Sequence, residues 1–164
     1  MTRALDALMR RASRIAEDIF KDRGSLDPIW LIELADGKQE IIAFPIPAPD
    51  GAAGEYKESL SAGMRKLFHD KGVRRYAWAM ECWIVSGRTT DSEAHDSLHD
   101  HPDRTEVIVV HADDGFETRL GYREIIRSGG RVYLGKLDIE TPGPRTQGRF
   151  FGLLNATQHP TTIN

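Results

Sequence analysis

The chain has 164 residues, of which 40% are hydrophobic and 29% charged, and its formal net charge is -3 at pH 7. This length and composition are typical of one globular domain, so two independent cores are not expected. The single cysteine, Cys82, excludes a disulfide framework and a four-cysteine zinc module and favours a reducing compartment. The mildly acidic charge argues against a general nucleic-acid binder.

The N-terminal residues 1–20 mix arginines with apolar residues and contain no separate apolar segment of the kind that a secretion signal carries. No part of the sequence approaches the roughly 20 consecutive apolar residues of a membrane-spanning helix. We therefore expect a cytoplasmic protein that has no membrane partner.

The first predicted elements are a helix and a hairpin. Apolar residues recur every three or four positions over residues 3–20, which predicts an amphipathic helix. Two apolar runs, 28–34 and 40–44, then flank Asp36-Gly37, a pair that suits the positive φ angles of a tight turn. These residues predict a β-hairpin.

A second helix and a long strand follow a proline-rich connection. Residues 55–71 place apolar side chains on one helical face and are followed by Gly72, a plausible helix stop. Residues 74–85 have the alternation of a strand, in which Cys82 shares a face with large apolar residues and is expected to be an inert core thiol. Residues 86–104 are polar and predict a loop.

Three further strands are expected at 105–112, 116–127 and 131–139, separated by glycine-containing turns. With the 74–85 strand they form an antiparallel meander of about four strands. The predicted fold is therefore α+β: an N-terminal helix, a β-hairpin, a second helix and the meander, in one sheet with the helices mainly on one face.

The domain prediction follows from the same pattern. Residues 1–140 are expected to form a single α+β domain. Residues 141–164 contain three prolines and no acid, which predicts an irregular C-terminal segment that is partly tied down by Phe150–Leu154.

The densest group of possible metal ligands lies in the polar loop, where His95, His99 and His101 alternate with carboxylates. Imidazole and carboxylate groups bind zinc and similar metals when the spacing is right. A His-x-His-x-Asp-His motif that begins at His99 would end on Arg104, so it is incomplete. We interpret the segment as a solvated acidic loop and expect no metal and no cofactor.

Glu81 lies within an otherwise apolar strand, where a bare carboxylate is costly to bury. Arg104 and Arg75 are candidate partners, and a Glu81–Arg104 ion pair would join two strands. An exposed position for Glu81 and a role as a general acid or base are the alternatives.

Glu81-Cys82-Trp83, His101-Pro102-Asp103-Arg104-Thr105-Glu106 and Asp113-Asp114-Gly115 together resemble a group of small uncharacterised bacterial and phage-associated proteins. These proteins share a Glu-x-Trp strand, a His-Pro-Asp-Arg-x-Glu turn-to-strand segment and an acid-Gly turn. The resemblance covers roughly residues 28–140 and implies a family associated with mobile elements or prophages, without implying an activity.

The function predicted from these observations is a non-catalytic cytosolic binding or assembly domain. Arg104, Glu106 and Trp83 are its candidate binding residues, and the partner is an unknown protein or a second copy that pairs with the edge of the meander. The alternative is a small hydrolase-like enzyme that uses Glu81, His101 and Asp103, with or without a metal. Convergence of those three side chains in one pocket would favour the enzyme.

Overall fold

The computed structural model describes residues 2–44, 53–85, 102–140 and 152–154. Two helices and seven strands follow one another along the chain: α1 (Thr2–Arg23), β1 (Ile29–Leu34), β2 (Gln39–Ala43), α2 (Ala53–Lys71), β3 (Val73–Val85), β4 (Arg104–Asp113), β5 (Thr118–Ser128), β6 (Arg131–Leu134) and β7 (Asp138–Glu140). Neither helix in this part of the chain is long and apolar enough to cross a membrane.

All seven strands belong to one antiparallel sheet with the order β2-β1-β3-β4-β5-β6, and β7 pairs with β5 beside β6. The predicted α+β fold and its N-terminal helix are confirmed. The prediction of about four strands is too low, because the β1–β2 hairpin joins the same sheet and the segment predicted as a single strand at 131–139 is two strands. Gly37, with φ of 83°, lies in the predicted hairpin turn.

The helices lie on opposite faces of the sheet, which corrects the prediction that both lie mainly on one face. Helix α1 packs on the face that carries Ala77 and Ala79 of β3, and we call this the α1 face. Helix α2 packs on the face that carries Tyr76 and Trp78, the α2 face. Small residues under α1 let the helix lie close to the strands, whereas the aromatic rings fill the space under α2.

The C-terminal residues that the structure describes lie against α2 and the sheet. Leu153 is buried, and its backbone N–H donates to the Tyr76 hydroxyl at 3.2 Å. The same hydroxyl lies 3.3 Å from Oδ2 of Asp113, and Arg65 Nη1 donates to the Gly152 carbonyl at 2.7 Å. Phe150 and Phe151, and the rest of the predicted irregular segment, lie outside the described residues.

The close packing of Met9 and of the start of β7 against β5 requires a glycine at position 121. A Cβ atom on Gly121 would lie 2.9 Å from the Asp138 carbonyl oxygen and 3.0 Å from Cδ1 of Leu137. The chain at Leu137 and Asp138 therefore lies so close to β5 that only glycine fits at position 121 without a shift. The carbonyl of Gly135, at the break between β6 and β7, accepts a hydrogen bond from Arg123 Nε at 2.9 Å.

We predict that Gly121→Ala destabilises the protein by about 1–3 kcal/mol, because the added methyl group forces the backbone at Asp138 to move. Gly63→Ala is the matched control: it lies within α2 with open space around its Cα, so it should stabilise by about 0.5–1 kcal/mol through helix propensity. Urea unfolding of both variants measures the two effects. Equal stabilities for the Gly121→Ala protein and the wild type would contradict the close approach.

Candidate functional site

The burial of the two central strands changes along their length. Residues 76–79 of β3 and 107–113 of β4 are buried, whereas residues 80–84 and 104–106 are only half-buried. We call this second region, together with the neighbouring residues 122–127 of β5, the half-buried end of the sheet. It contains four of the candidate residues that the sequence marks: Glu81, Trp83, Arg104 and Glu106.

Three predicted binding residues meet on the α1 face of the half-buried end. Trp83 lies opposite Glu106 in the β3–β4 register, and the Arg104 guanidinium carbon lies 4.4 Å from the centroid of a Trp83 ring. Such a cation–π contact stabilises by about 0.5–1 kcal/mol at a partly exposed site. The structure therefore places Trp83, Arg104 and Glu106 together.

Arg127 completes this group and was not singled out from the sequence. Its Nε and Nη2 atoms donate to the two carboxylate oxygens of Glu106 at 2.8 and 2.6 Å. This two-pronged geometry fixes the orientation of both side chains. No signal in the sequence identifies the pair, because the two residues are 21 positions apart on different strands.

Glu81 does not pair with Arg104, so that prediction is wrong. Arg104 lies opposite Val85, four residues from Glu81 along β3, a separation of about 13 Å. The Glu81 carboxylate instead accepts a hydrogen bond from the backbone N–H of Leu26 at 2.6 Å. Burial raises the pKa of Glu81; the Leu26 hydrogen bond opposes this effect, and the nearby Glu106 carboxylate adds to it.

The proposed catalytic residues are not drawn together where the structure describes them. Asp103 is exposed and lies in the turn before β4, whereas Glu81 lies opposite Ile108. Five residues of extended strand separate the two positions, which is roughly 16 Å. His101, His95 and His99 lie outside the described residues. Within the described part of the chain, no group of three or more His, Cys, Asp or Glu side chains is arranged to hold a metal.

The α2 face of the half-buried end carries a groove of about 830 Å³. Residues of β3, β4, β5, β7 and the β6–β7 connection line it, and the charged ones among them form its rim. The lining residues are Trp83, Ile84, Thr105, Val107, Tyr122, Glu124, Gly135, Lys136, Asp138 and Glu140. We call it the acidic groove. Burial raises the pKa of the Tyr122 hydroxyl, and the Glu140 carboxylate contributes to the same effect.

A third feature is an apolar patch at the edge of the sheet. Of the five large apolar side chains that are exposed in the described residues, three lie on the hairpin formed by the end of β5 and by β6: Ile126, Val132 and Tyr133. We call residues 125–134 the edge hairpin. Exposed apolar groups that cluster in one place, unlike scattered ones, mark interaction surfaces.

Two residues of reactive types pack among apolar side chains: His111 lies in the core, and Cys82 is half-buried at its margin. His111 is fully buried, its ring centroid is 5.5 Å from that of Trp78, and burial lowers its pKa to about 3. Cys82 lies on the α2 face among apolar residues, as the alternation predicts, and burial raises the pKa of its thiol to about 11. A thiol with this pKa is protonated at neutral pH and is a poor nucleophile.

Comparisons with known protein families, with curated proteins and with solved structures find no match for this chain. The resemblance based on the segments around Trp83 and His101 therefore stays a prediction. The function has to be argued from the arrangement of the side chains alone.

We predict that Glu81→Ala and Glu81→Gln differ in stability. Alanine removes the acceptor of the buried Leu26 N–H group, which should cost about 1–3 kcal/mol. Glutamine retains an acceptor oxygen and removes a partly buried charge, so its free energy of unfolding at pH 7 should equal or exceed that of the wild type. Because the folded protein raises the pKa of Glu81, the wild type should gain stability relative to the glutamine variant as the pH falls through that raised pKa.

Urea unfolding of the wild type and both Glu81 variants at neutral and acidic pH checks these expectations. An equal loss for alanine and glutamine would show that the charge of Glu81, and not its acceptor oxygen, holds the Leu26 segment.

His111 should make the protein less stable in mild acid. In the unfolded chain its imidazole binds a proton near its ordinary pKa of 6.5, whereas in the folded protein it does so only near 3. Between these values the unfolded state binds more protons, so stability falls as the pH falls, by up to about 1.4 kcal/mol per pH unit. The difference in unfolding free energy between the wild type and His111→Gln should therefore shrink or reverse between pH 7 and pH 4. A difference that is constant across this range would contradict a neutral buried imidazole.

Proposed function

We propose that this protein is a non-catalytic assembly domain that binds a second copy of itself through the edge hairpin. The observation that carries the proposal is the concentration of exposed apolar side chains there: Ile126, Val132 and Tyr133 are 41%, 44% and 50% exposed. Val132 and Tyr133 lie on β6, the edge strand of the described sheet, and Ile126 lies beside them on β5. An edge strand offers a template for a further strand.

The edge hairpin presents apolar groups on both of its faces. Tyr133 lies opposite Ile126, and Val132 lies opposite Arg127. In a two-fold antiparallel pairing of β6 with itself that is centred on Val132, Val132 of one copy lies opposite Val132 of the other, and Arg131 lies opposite Tyr133. Like charges do not meet in this register, so the strand is compatible with its own copy.

The predicted binding residues support the hairpin from behind. Glu106 holds Arg127 through two hydrogen bonds, and Arg127 is the cross-strand neighbour of Val132. Trp83 and Arg104 lie beside Glu106 on the same face. A rigid base lowers the entropic cost of ordering the hairpin when it binds.

The arrangement supports binding better than hydrolysis. The alternative function needs Glu81 and Asp103 in one pocket with His101. The Glu81 carboxylate instead binds the Leu26 backbone N–H, and the backbone positions of Glu81 and Asp103 are roughly 16 Å apart along the strands. A cytoplasmic location remains part of the proposal, and the sequence's single cysteine, which cannot form an intrachain disulfide, supports it.

Sedimentation across a concentration series tests the assembly. The mass of the wild type should rise with concentration, because apolar area on the hairpin is buried between two copies. The double variant Val132→Ser/Tyr133→Ser should stay monomeric and should keep the circular dichroism spectrum of the wild type.

Phe116→Ser is the matched control for this experiment. Phe116 is 91% exposed and lies in the β4–β5 turn, away from the hairpin, so its loss should leave the assembly unchanged. A wild type that is monomeric at every concentration, or a double variant that assembles as the wild type does, would rule out self-association through the hairpin.

A further inference from the structure

The acidic groove brings together three carboxylates that have no cationic partner among the described residues. Glu124, Asp138 and Glu140 make no ion pair or side-chain hydrogen bond with any group that the structure describes, and they are exposed. Elsewhere the carboxylates of Glu17, Glu33 and Glu106 are ion-paired with arginines. Among the described residues that line the groove, Lys136 is the one cation, and together they carry a net negative charge.

The three carboxylates are evenly spaced. Glu124 and Tyr122 are successive residues on one face of β5, and Asp138 lies opposite Tyr122. Glu140 lies opposite Leu120, the next residue of β5 on that face. Since same-face residues of a strand repeat at about 7 Å, the negative charges lie at three successive levels along β5, about 7 Å apart.

The floor between these charges is apolar. Ile84, Val107 and Tyr122 continue the surface on which α2 packs, but here they line an open groove. A long cationic side chain matches both parts of such a site, because its methylene stem packs on apolar surface while its charged end reaches a carboxylate. Metal ions do not fit, since these carboxylates form no metal-binding group among the described residues, and nucleic acid is repelled by the negative rim.

We propose that the acidic groove binds an extended segment of a partner protein that carries lysine or arginine at alternate positions. In an extended chain, alternate side chains share one side and repeat at about 7 Å, which matches the spacing of the three carboxylates. The basic ends contact Glu124, Asp138 and Glu140, and the methylene stems cover Tyr122 and Ile84, while the intervening side chains point away from the groove. This site is separate from the edge hairpin and does not depend on self-association.

A labelled peptide in which three lysines alternate with two leucines is the probe. Fluorescence anisotropy should show saturable binding to the wild-type protein, and added salt should weaken it because exposed charges are screened. A peptide of the same composition with its lysines consecutive should bind at least about threefold more weakly, since consecutive side chains point to opposite sides of an extended chain. A peptide with glutamates in place of the lysines should not bind.

Matched protein variants locate the site. Glu124→Gln/Glu140→Gln should weaken binding about threefold to tenfold, in line with the loss of two exposed charge contacts. Asp18→Asn/Asp22→Asn removes the same charge from the outer side of α1 and should leave the affinity unchanged. Equal weakening by both double variants would show only a general charge effect and would overturn the proposal.

The remaining outcomes are also decisive. Equal binding of the two lysine peptides would contradict the spacing argument, and the absence of saturable binding to the wild type would overturn the site. The Val132→Ser/Tyr133→Ser protein should bind the alternating peptide as the wild type does. A monomeric protein that binds the peptide would therefore refute the assembly proposal while supporting this one. A protein that assembles but does not bind the peptide would support the assembly proposal and refute this one.

Discussion

The fold depends on one antiparallel pair, β3 with β4, that is covered on both faces. Their register runs over ten residue pairs, from Tyr76 opposite Asp113 to Val85 opposite Arg104. Because helices pack on both sides, seven successive residues of β4, 107–113, are buried, and alternation of polar and apolar residues is lost there. The polar groups that this leaves inside need internal partners, and Asp113 accepts hydrogen bonds from the Gly115 backbone and is contacted by the Tyr76 hydroxyl.

The same constraint explains the character of the half-buried end. Where burial decreases, charged side chains appear on the strands. Three of those on the α1 face have specific contacts: Glu81 with the Leu26 backbone, Glu106 with Arg127, and Arg104 with Trp83. Arg123 goes further, since it joins Glu17 of α1 to the Gly135 carbonyl at the β6–β7 break. The Arg123 hydrogen bond is the main reason that the pKa of Glu17 is lowered to about 2. These contacts hold the sheet, the helix and the edge hairpin in one arrangement.

Local patterns in the sequence predict the elements well, and long-range pairing is where they fail. The repeat of apolar residues in α1 and the Asp36-Gly37 turn are local signals, so both elements are found. The pairing of Glu81 with Arg104 was inferred from opposite charge alone, yet the register puts Arg104 opposite Val85. The division of 131–139 into β6 and β7 reflects how the two pieces pair with different parts of β5, and the close approach at Gly121 lies on that neighbouring strand, so the segment itself does not show it. Likewise, the apolar run in β4 indicates burial but does not say which face each helix covers.

The two faces of the half-buried end differ in how their charges are satisfied, and this difference supports separate roles for them. On the α1 face, Glu106 and Arg127 neutralise each other, so a partner that docks there gains little from charge and must rely on apolar contact, which the adjacent edge hairpin supplies. On the α2 face, Glu124 and Glu140 have no such counter-charge among the described residues, so bringing a cation to them adds favourable interactions without breaking existing ones. Residues of a strand alternate between its two faces, so β5 supplies Arg127 to one face and Glu124 to the other. A single strand thus contributes to a neutralised ion pair on one face and carries a carboxylate without a counter-charge among the described residues on the other, and substitutions on one face can be made without removing side chains from the other.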